Sequence, residues 1–175
     1  MNDIINAMKE RRSVRKFKPD MPSDEEIMQV VEAGLYAASG MNFQDSKIIV
    51  VTNKELRDQI SQDNAAIMHA EEGADPLYGA PVVIIVLGDK SKATYLYNGS
   101  LVLGNMMLAA HSMGLGSCWI HRSKEEFEKD YYKDILKKLD IEGDYEGIGH
   151  LILGYPDETV TAPKEIKPDR VYWIG

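Results

Sequence analysis

The chain is 175 residues long and 44% hydrophobic, with 28 acidic against 20 basic side chains and a formal net charge of -8. Such a length and apolar content fit a single domain, residues 1–175, with a core of its own, and the acidic balance argues against nucleic acid as a partner. One cysteine, Cys118, excludes an internal disulfide framework and fits a reducing compartment.

Met1 to Arg12 is polar and amphipathic, without the apolar stretch of a secretory signal. Ile4, Ile5 and Met8 share a helical face, so a short helix is expected over Asp3–Arg11. It leads into KERRSVRKFKP (9–19), where Lys9, Arg11, Arg12, Arg15, Lys16 and Lys18 face only Glu10. A solvated basic face and a phosphate clamp, with arginines as bidentate donors and Ser13 adding a hydroxyl, are both open readings. Pro22 and Ser23 open the next helix, with a Ser23–Glu26 capping box and an apolar face from Ile27 to Ala38. Gly40 breaks its period, and Asn42 and Gln44 follow in a loop. Ser46–Thr52 reads as a buried strand, and Asn53 caps a helix through Ile60 or Ser61. Ala65–Ala70 reads as a helical turn or two before the loop-like GADPLYG.

Pro81–Leu87 is the most apolar strand, which implies a central place with both faces covered. Leu101–Met113 is apolar at nearly every helical position, so that helix should be buried all round. It is too short to span a bilayer and carries Asn105 and His111, so a soluble, cytoplasmic protein with no membrane partner is expected. Gly114 and Gly116 stop it before a short buried strand, Ser117–Ile120. Ser123 and Glu126 form a second capping box for a helix that continues through Ile135, Leu136 and Leu139. Ile148–Tyr155 is a further strand, and the tail ends in Val171–Ile174, whose apolarity favours docking. Alternating helices and strands predict a sheet flanked by helices.

Several chemistries are absent. The four histidines have no metal-ligand spacing, and Cys118 has no partner cysteine and an apolar setting that leaves it an inert core thiol. There is no nucleophile elbow or phosphate loop, and Gly114 and Gly116 lack the third glycine of a dinucleotide fingerprint. What remains is a basic clamp, an amide-bearing loop, a glycine-led strand and two tail lysines. Those parts can hold an organic phosphate joined to a planar ring, with the cofactor carrying the chemistry.

The sequence resembles the FMN-dependent nitroreductases, single-domain type. RRSVRKF (11–17) is similar to that family's N-terminal phosphate motif, AASGMNFQ (37–44) to its second flavin loop, and GNMMLAAHSMGLGSCWI (104–120) to its core helix and flavin-facing strand. HLILGYP (150–156) and the lysine-bearing tail are similar to its end, so the motifs run in order through the chain. The resemblance implies an α+β fold, a three-layer α/β/α sandwich with a mainly antiparallel sheet. It also implies an intertwined homodimer with swapped C-terminal tails and FMN at the subunit interface.

By the same resemblance Arg11 and Ser13 bind the phosphate and ribityl chain, Arg12 lies nearby, and Arg15 approaches the pyrimidine edge near N1 and O2. Ser39, Gly40, Met41 and Asn42 reach the flavin from the other subunit. Cys118, Trp119, Ile120 and His121 lie along the ring, with a backbone N–H near 121 donating to N5. Lys164 and Lys167 complete the phosphate shell, and Asn64 is a candidate ring contact. The family's proline before the loop serine and its Pro-Trp after the glutamine are here Ala38, Asp45 and Ser46. The implied activity is ping-pong transfer from NADH or NADPH to nitroaromatics, quinones or similar small oxidants. Arg15 acts as an electrostatic stabiliser, and no side chain is needed as acid or base. The alternatives are a non-catalytic flavin or nucleotide binder and a specialised flavin enzyme such as a reductive dehalogenase.

Overall fold

A computed structural model describes residues 2–160 and 164–175. The helices are α1 (Asp3–Glu10), α2 (Asp24–Leu35), α3 (Lys54–Ile67), α4 (Tyr95–Ser112), α5 (Ser123–Phe127) and α6 (Asp130–Lys138). The strands are β1 (Lys47–Val51), β2 (Val82–Asp89), β3 (Gly116–Ile120) and β4 (Tyr145–Gly154), in the order β1-β2-β4-β3 with every pair antiparallel.

Side-chain alternation along β2 divides the interior into two cores. Val82, Ile84 and Val86 pack with α2, α4, Leu151 and Leu153. Val83, Ile85 and Leu87 pack with Ile60 of α3, Phe127 of α5, and Tyr132 and Leu136 of α6. A strand whose successive residues face opposite layers needs apolar side chains throughout, which is why PVVIIVL lacks the usual polar alternation. The α/β/α sandwich and its antiparallel sheet are as the sequence implied. Between Val86 and Leu87 the register with β4 slips, leaving Ile148 as an extra residue that joins the α4 side of the core.

Side-chain caps account for three of the helix starts, the first being Asn2 Oδ1, which accepts from Ile4 N and Ile5 N at α1. Ser23 and Glu26 form the expected capping box on α2, and Tyr155 Oη adds a hydrogen bond to Glu26 Oε2 at 2.8 Å, tying α2 to the end of β4. Asn53 Oδ1 accepts from Leu56 N at 2.9 Å and starts α3.

Four expectations change. α3 runs through Ile67, so Ala65 and Ala66 belong to it. α4 begins at Tyr95, and one face stays exposed, with Tyr97, Leu101 and Gly104 uncovered within a single chain. β1 is an edge strand with only Val51 buried, because β2 alone pairs with it. The expected Ser123–Glu126 capping box does not form: α5 has no side-chain cap, its run breaks at Glu128–Lys129, and Glu126 turns inward to bond elsewhere. Among the described residues no helix is long and apolar enough to cross a membrane.

Candidate active site

Residues 13–18 have no helix or strand of their own, so their backbone groups pair with the sheet's edge. Val14 N donates to Ser117 O (3.0 Å), Lys18 N to Tyr155 O (2.9 Å), and Asp157 N to Lys16 O (2.9 Å). Phe17 and Pro156 form an isolated antiparallel bridge. The close approach depends on Gly116, where a Cβ would stand 2.9 Å from Val14 Cγ1. The basic motif is thus laid against β3 and the end of β4, as a sequence with Val14 and Phe17 between its charges requires.

This placement brings Arg15 to a cleft of about 340 Å³ lined by Cys118, Trp119, Ile120, His121 and Arg122, with Met68, Ala70, Asp75, Pro76 and Tyr78 opposite. Five expected site residues, Arg15 and 118–121, therefore meet in one place. Trp119 pairs with Leu151 of β4, and its indole packs over Gly149 two residues earlier, where a Cβ would be 2.4 Å from Nε1. A larger cavity of about 760 Å³ lies elsewhere, and its lysines, Lys90, Lys124, Lys133 and Lys137, are already paired with Asp144, Glu146, Asp130 and Asp134.

The opposite wall is held by Asp75. Its Oδ1 accepts from Ser61 Oγ (2.5 Å) and Leu77 N (3.0 Å), and its Oδ2 from Arg57 Nη2 (2.5 Å) and Gly79 N (2.7 Å). Burial pushes the Asp75 carboxyl up, but Arg57, Ser61 and the Gly79 N–H outweigh it and hold it below its ordinary 3.8. The wall from 75 to 79 is an Asx-type turn anchored by one ion pair.

Behind the strand end lies a buried polar chain. His150, Glu126 and Asn64 are each fully buried. His150 Nε2 meets Glu126 Oε2, Asn64 Nδ2 donates to Glu126 Oε1 (3.1 Å) and His121 O (3.0 Å), and Arg122 Nε donates to Asn64 Oδ1 (2.9 Å). Asn64 faces inward and reaches the cleft through Arg122 and the His121 carbonyl.

The other expected residues lie apart from the cleft in this chain. Arg12 Nη1 donates to Lys9 O (2.6 Å) and Arg11 O (2.8 Å), closing the end of α1. Ser39, Gly40, Met41 and Asn42 form a 3-10 turn with Met41 and Asn42 at positive φ. That turn is fixed to α4 by Gly40 N donating to Asn98 Oδ1 at 3.0 Å. Lys164 and Lys167 are exposed. Sequence reasoning missed the 68–78 wall and Arg122. The Asp75-Pro76 turn signal was available, but its pairing with Arg57 is long-range.

One observation tests whether an organic phosphate fits. Arg11 Nη1 is buried without a hydrogen-bond partner, and a buried guanidinium N–H is costly unless an acceptor meets it. An oxyanion is the matching acceptor, and Ser13, the residue before Val14, is half-buried beside it. The donor set fits a phosphate, and the Trp119 cleft fits a flat ring.

The Nitroreductase family model matches residues 8–155, so the chain belongs to the Nitroreductase family. A nitroreductase with bound FMN from Desulfitobacterium hafniense superposes with a TM-score of 0.88 at 28% identity, covering 100% of both chains. An FMN-dependent nitroreductase from Clostridium difficile gives a TM-score of 0.87 at 27% identity over 99% of each chain. By sequence, the chain is 27% identical to the NADPH-flavin oxidoreductase of Vibrio harveyi, over 96% of this chain and 70% of that one.

Proposed function

We propose that the protein is an FMN-dependent oxidoreductase that uses NADH or NADPH to reduce small oxidants such as nitroaromatics and quinones. The observation that carries this reading is the cleft where Arg15 meets residues 118–122 in a Nitroreductase-family chain. FMN, when bound, supplies the redox chemistry, accepting hydride from the reductant and passing electrons to the oxidant that replaces it.

The chain's own residues bind and bias. Arg11 and Ser13 hold the phosphate and ribityl chain, with Arg12 beside them and Lys164 or Lys167 completing the shell. Arg15 sets a permanent positive charge toward the pyrimidine edge, where negative charge grows on reduction. Cys118, Trp119, Ile120 and His121, which line the cleft, would hold the ring, and a backbone N–H near 121 would serve as a donor to it. Asn64 acts behind them as a positioning residue.

The working unit is a homodimer, in which Ser39, Gly40, Met41 and Asn42 of a second copy close each site. Three features support this. The 39–42 turn does not line the cleft of its own chain. α4 leaves Tyr97 and Leu101 uncovered. Trp173 is 92% and Ile174 101% exposed, an arrangement that an apolar tail keeps only when something covers it. The single buried cysteine supports a cytoplasmic location. Anaerobic NADH or NADPH should bleach the flavin colour of the purified protein, and a quinone or nitroaromatic should restore it. Bound FMN that neither nucleotide reduces would overturn the enzymatic reading.

A further inference from the structure

We infer that Arg122 recognises an oxyanion, a carboxylate or phosphate, on the molecule that enters the cleft, so that anionic partners are favoured over neutral ones. The inference rests on the oxidoreductase reading above and extends it to substrate class. Arg122 lines the cleft and sits at φ 76°, a left-handed backbone that a bulky side chain adopts only when its surroundings hold it there. The buried chain described above does that holding. His150, Glu126 and Asn64 are engaged one to the next, and the chain leaves the interior through Arg122 Nε. Its two terminal nitrogens have no hydrogen-bond acceptor among the described residues.

The surroundings favour an anion there. Asp75 is the one carboxylate among the cleft's lining residues, and its oxygens are taken by Arg57, Ser61 and two backbone N–H groups. Glu158, on the Arg15 side, accepts from Arg15 N at 2.5 Å. Glu126 lies behind Asn64, fully buried and bonded to it and to His150. Arg15 and Arg122 thus leave the cleft basic within a chain of net charge -8. In the site proposed above Arg15 faces the ring, and the Arg122 side chain is not among the groups assigned to the cofactor. A guanidinium fixed at Nε keeps its outer edge for a two-point contact with an oxyanion.

The test compares matched pairs on the FMN-loaded protein: 4-nitrobenzoate against 4-nitrobenzyl alcohol as oxidants, and NADPH against NADH as reductants. In Arg122→Gln the kcat/KM ratio, charged over neutral or NADPH over NADH, should fall about tenfold, mainly through KM, as loss of one charge-assisted hydrogen bond implies. A fall in the first ratio identifies a carboxylated oxidant, and a fall in the second identifies the reductant's extra phosphate. Arg122→Lys should keep most of the preference, and Asn64→Ala should lower the same ratio by a smaller factor. Benzoate, which the flavin cannot reduce, should bind the parent more tightly than Arg122→Gln in calorimetry, with or without FMN. Unchanged ratios together with an unchanged benzoate affinity overturn the inference, whereas a protein that takes up no FMN overturns only the oxidoreductase reading.

Discussion

The two ends of the chain carry similar sequence and are treated oppositely by the fold. Residues 13–18 and 164–175 are both irregular, both basic in part and both expected at one phosphate. The first is stitched to β3 and to the segment after β4 by three backbone hydrogen bonds and is seated over Gly116. Among the described residues the second has only Tyr172 Oη donating to Asp169 O, at 2.9 Å, and exposes Val171, Tyr172, Trp173 and Ile174. The difference supports the proposal that a single copy builds half of the site and that the apolar tail docks on a second copy.

The sharpest way to break that comparison is to remove the tail. Deleting residues 164–175 should leave the two cores folded but abolish dimer formation and FMN retention, read by light scattering and flavin content. A truncated protein that stays dimeric and yellow would make the tail ornamental. Arg15→Ala attacks the pinned end. It should keep FMN yet lower the flavin potential and slow hydride uptake about a hundredfold, the effect of losing roughly 3 kcal/mol of preorganised stabilisation. Unchanged reductive kinetics by stopped flow would remove Arg15 from its role.

Gly116→Val tests the seat itself. The new side chain meets Val14 at 2.9 Å, and overpacking there should cost about 2 kcal/mol in urea unfolding. Full stability and full FMN content would mean the segment can be held in another way. Asp75→Ala is the mildest change, about 1–2 kcal/mol from lost hydrogen bonds. Because the folded carboxyl lies below 3.8, its stabilisation is present above the unfolded value and is lost as pH falls through the folded one. Parent and variant should therefore converge in stability as pH falls through the folded value, as two acid titrations of unfolding will show.

What the sequence made legible follows from the range of the forces involved. The apolar run 81–87 announced β2 because burial on both faces leaves a local signature. Ser23 with Glu26 announced α2 because capping acts over three residues. Ser123 with Glu126 shows the same spacing, yet Glu126 bonds His150 and Asn64 instead, partners distant in sequence. The 68–78 wall was unreadable for the same reason, since Asp75 depends on Arg57 and Ser61 of α3. α4 was read as buried all round because its apolar pattern does not say what covers it, and its own chain leaves Tyr97 and Leu101 exposed. Arg15 and residues 118–121 were found through family resemblance, and the structure brings them together in one cleft. Arg122 was passed over because only its αL backbone and its bond to Asn64 distinguish it.

The central claim is that each flavin site is shared between copies, and a mixed dimer tests it most directly. One chain carries Arg11→Glu and the other Ser39→Glu, each expected to bind no FMN as its own homodimer. In the mixed dimer both lesions fall in one site and leave the other whole, so flavin content should recover to one FMN per dimer. A purified mixed dimer with no FMN would mean that each site is built within a single chain, and would contradict the account.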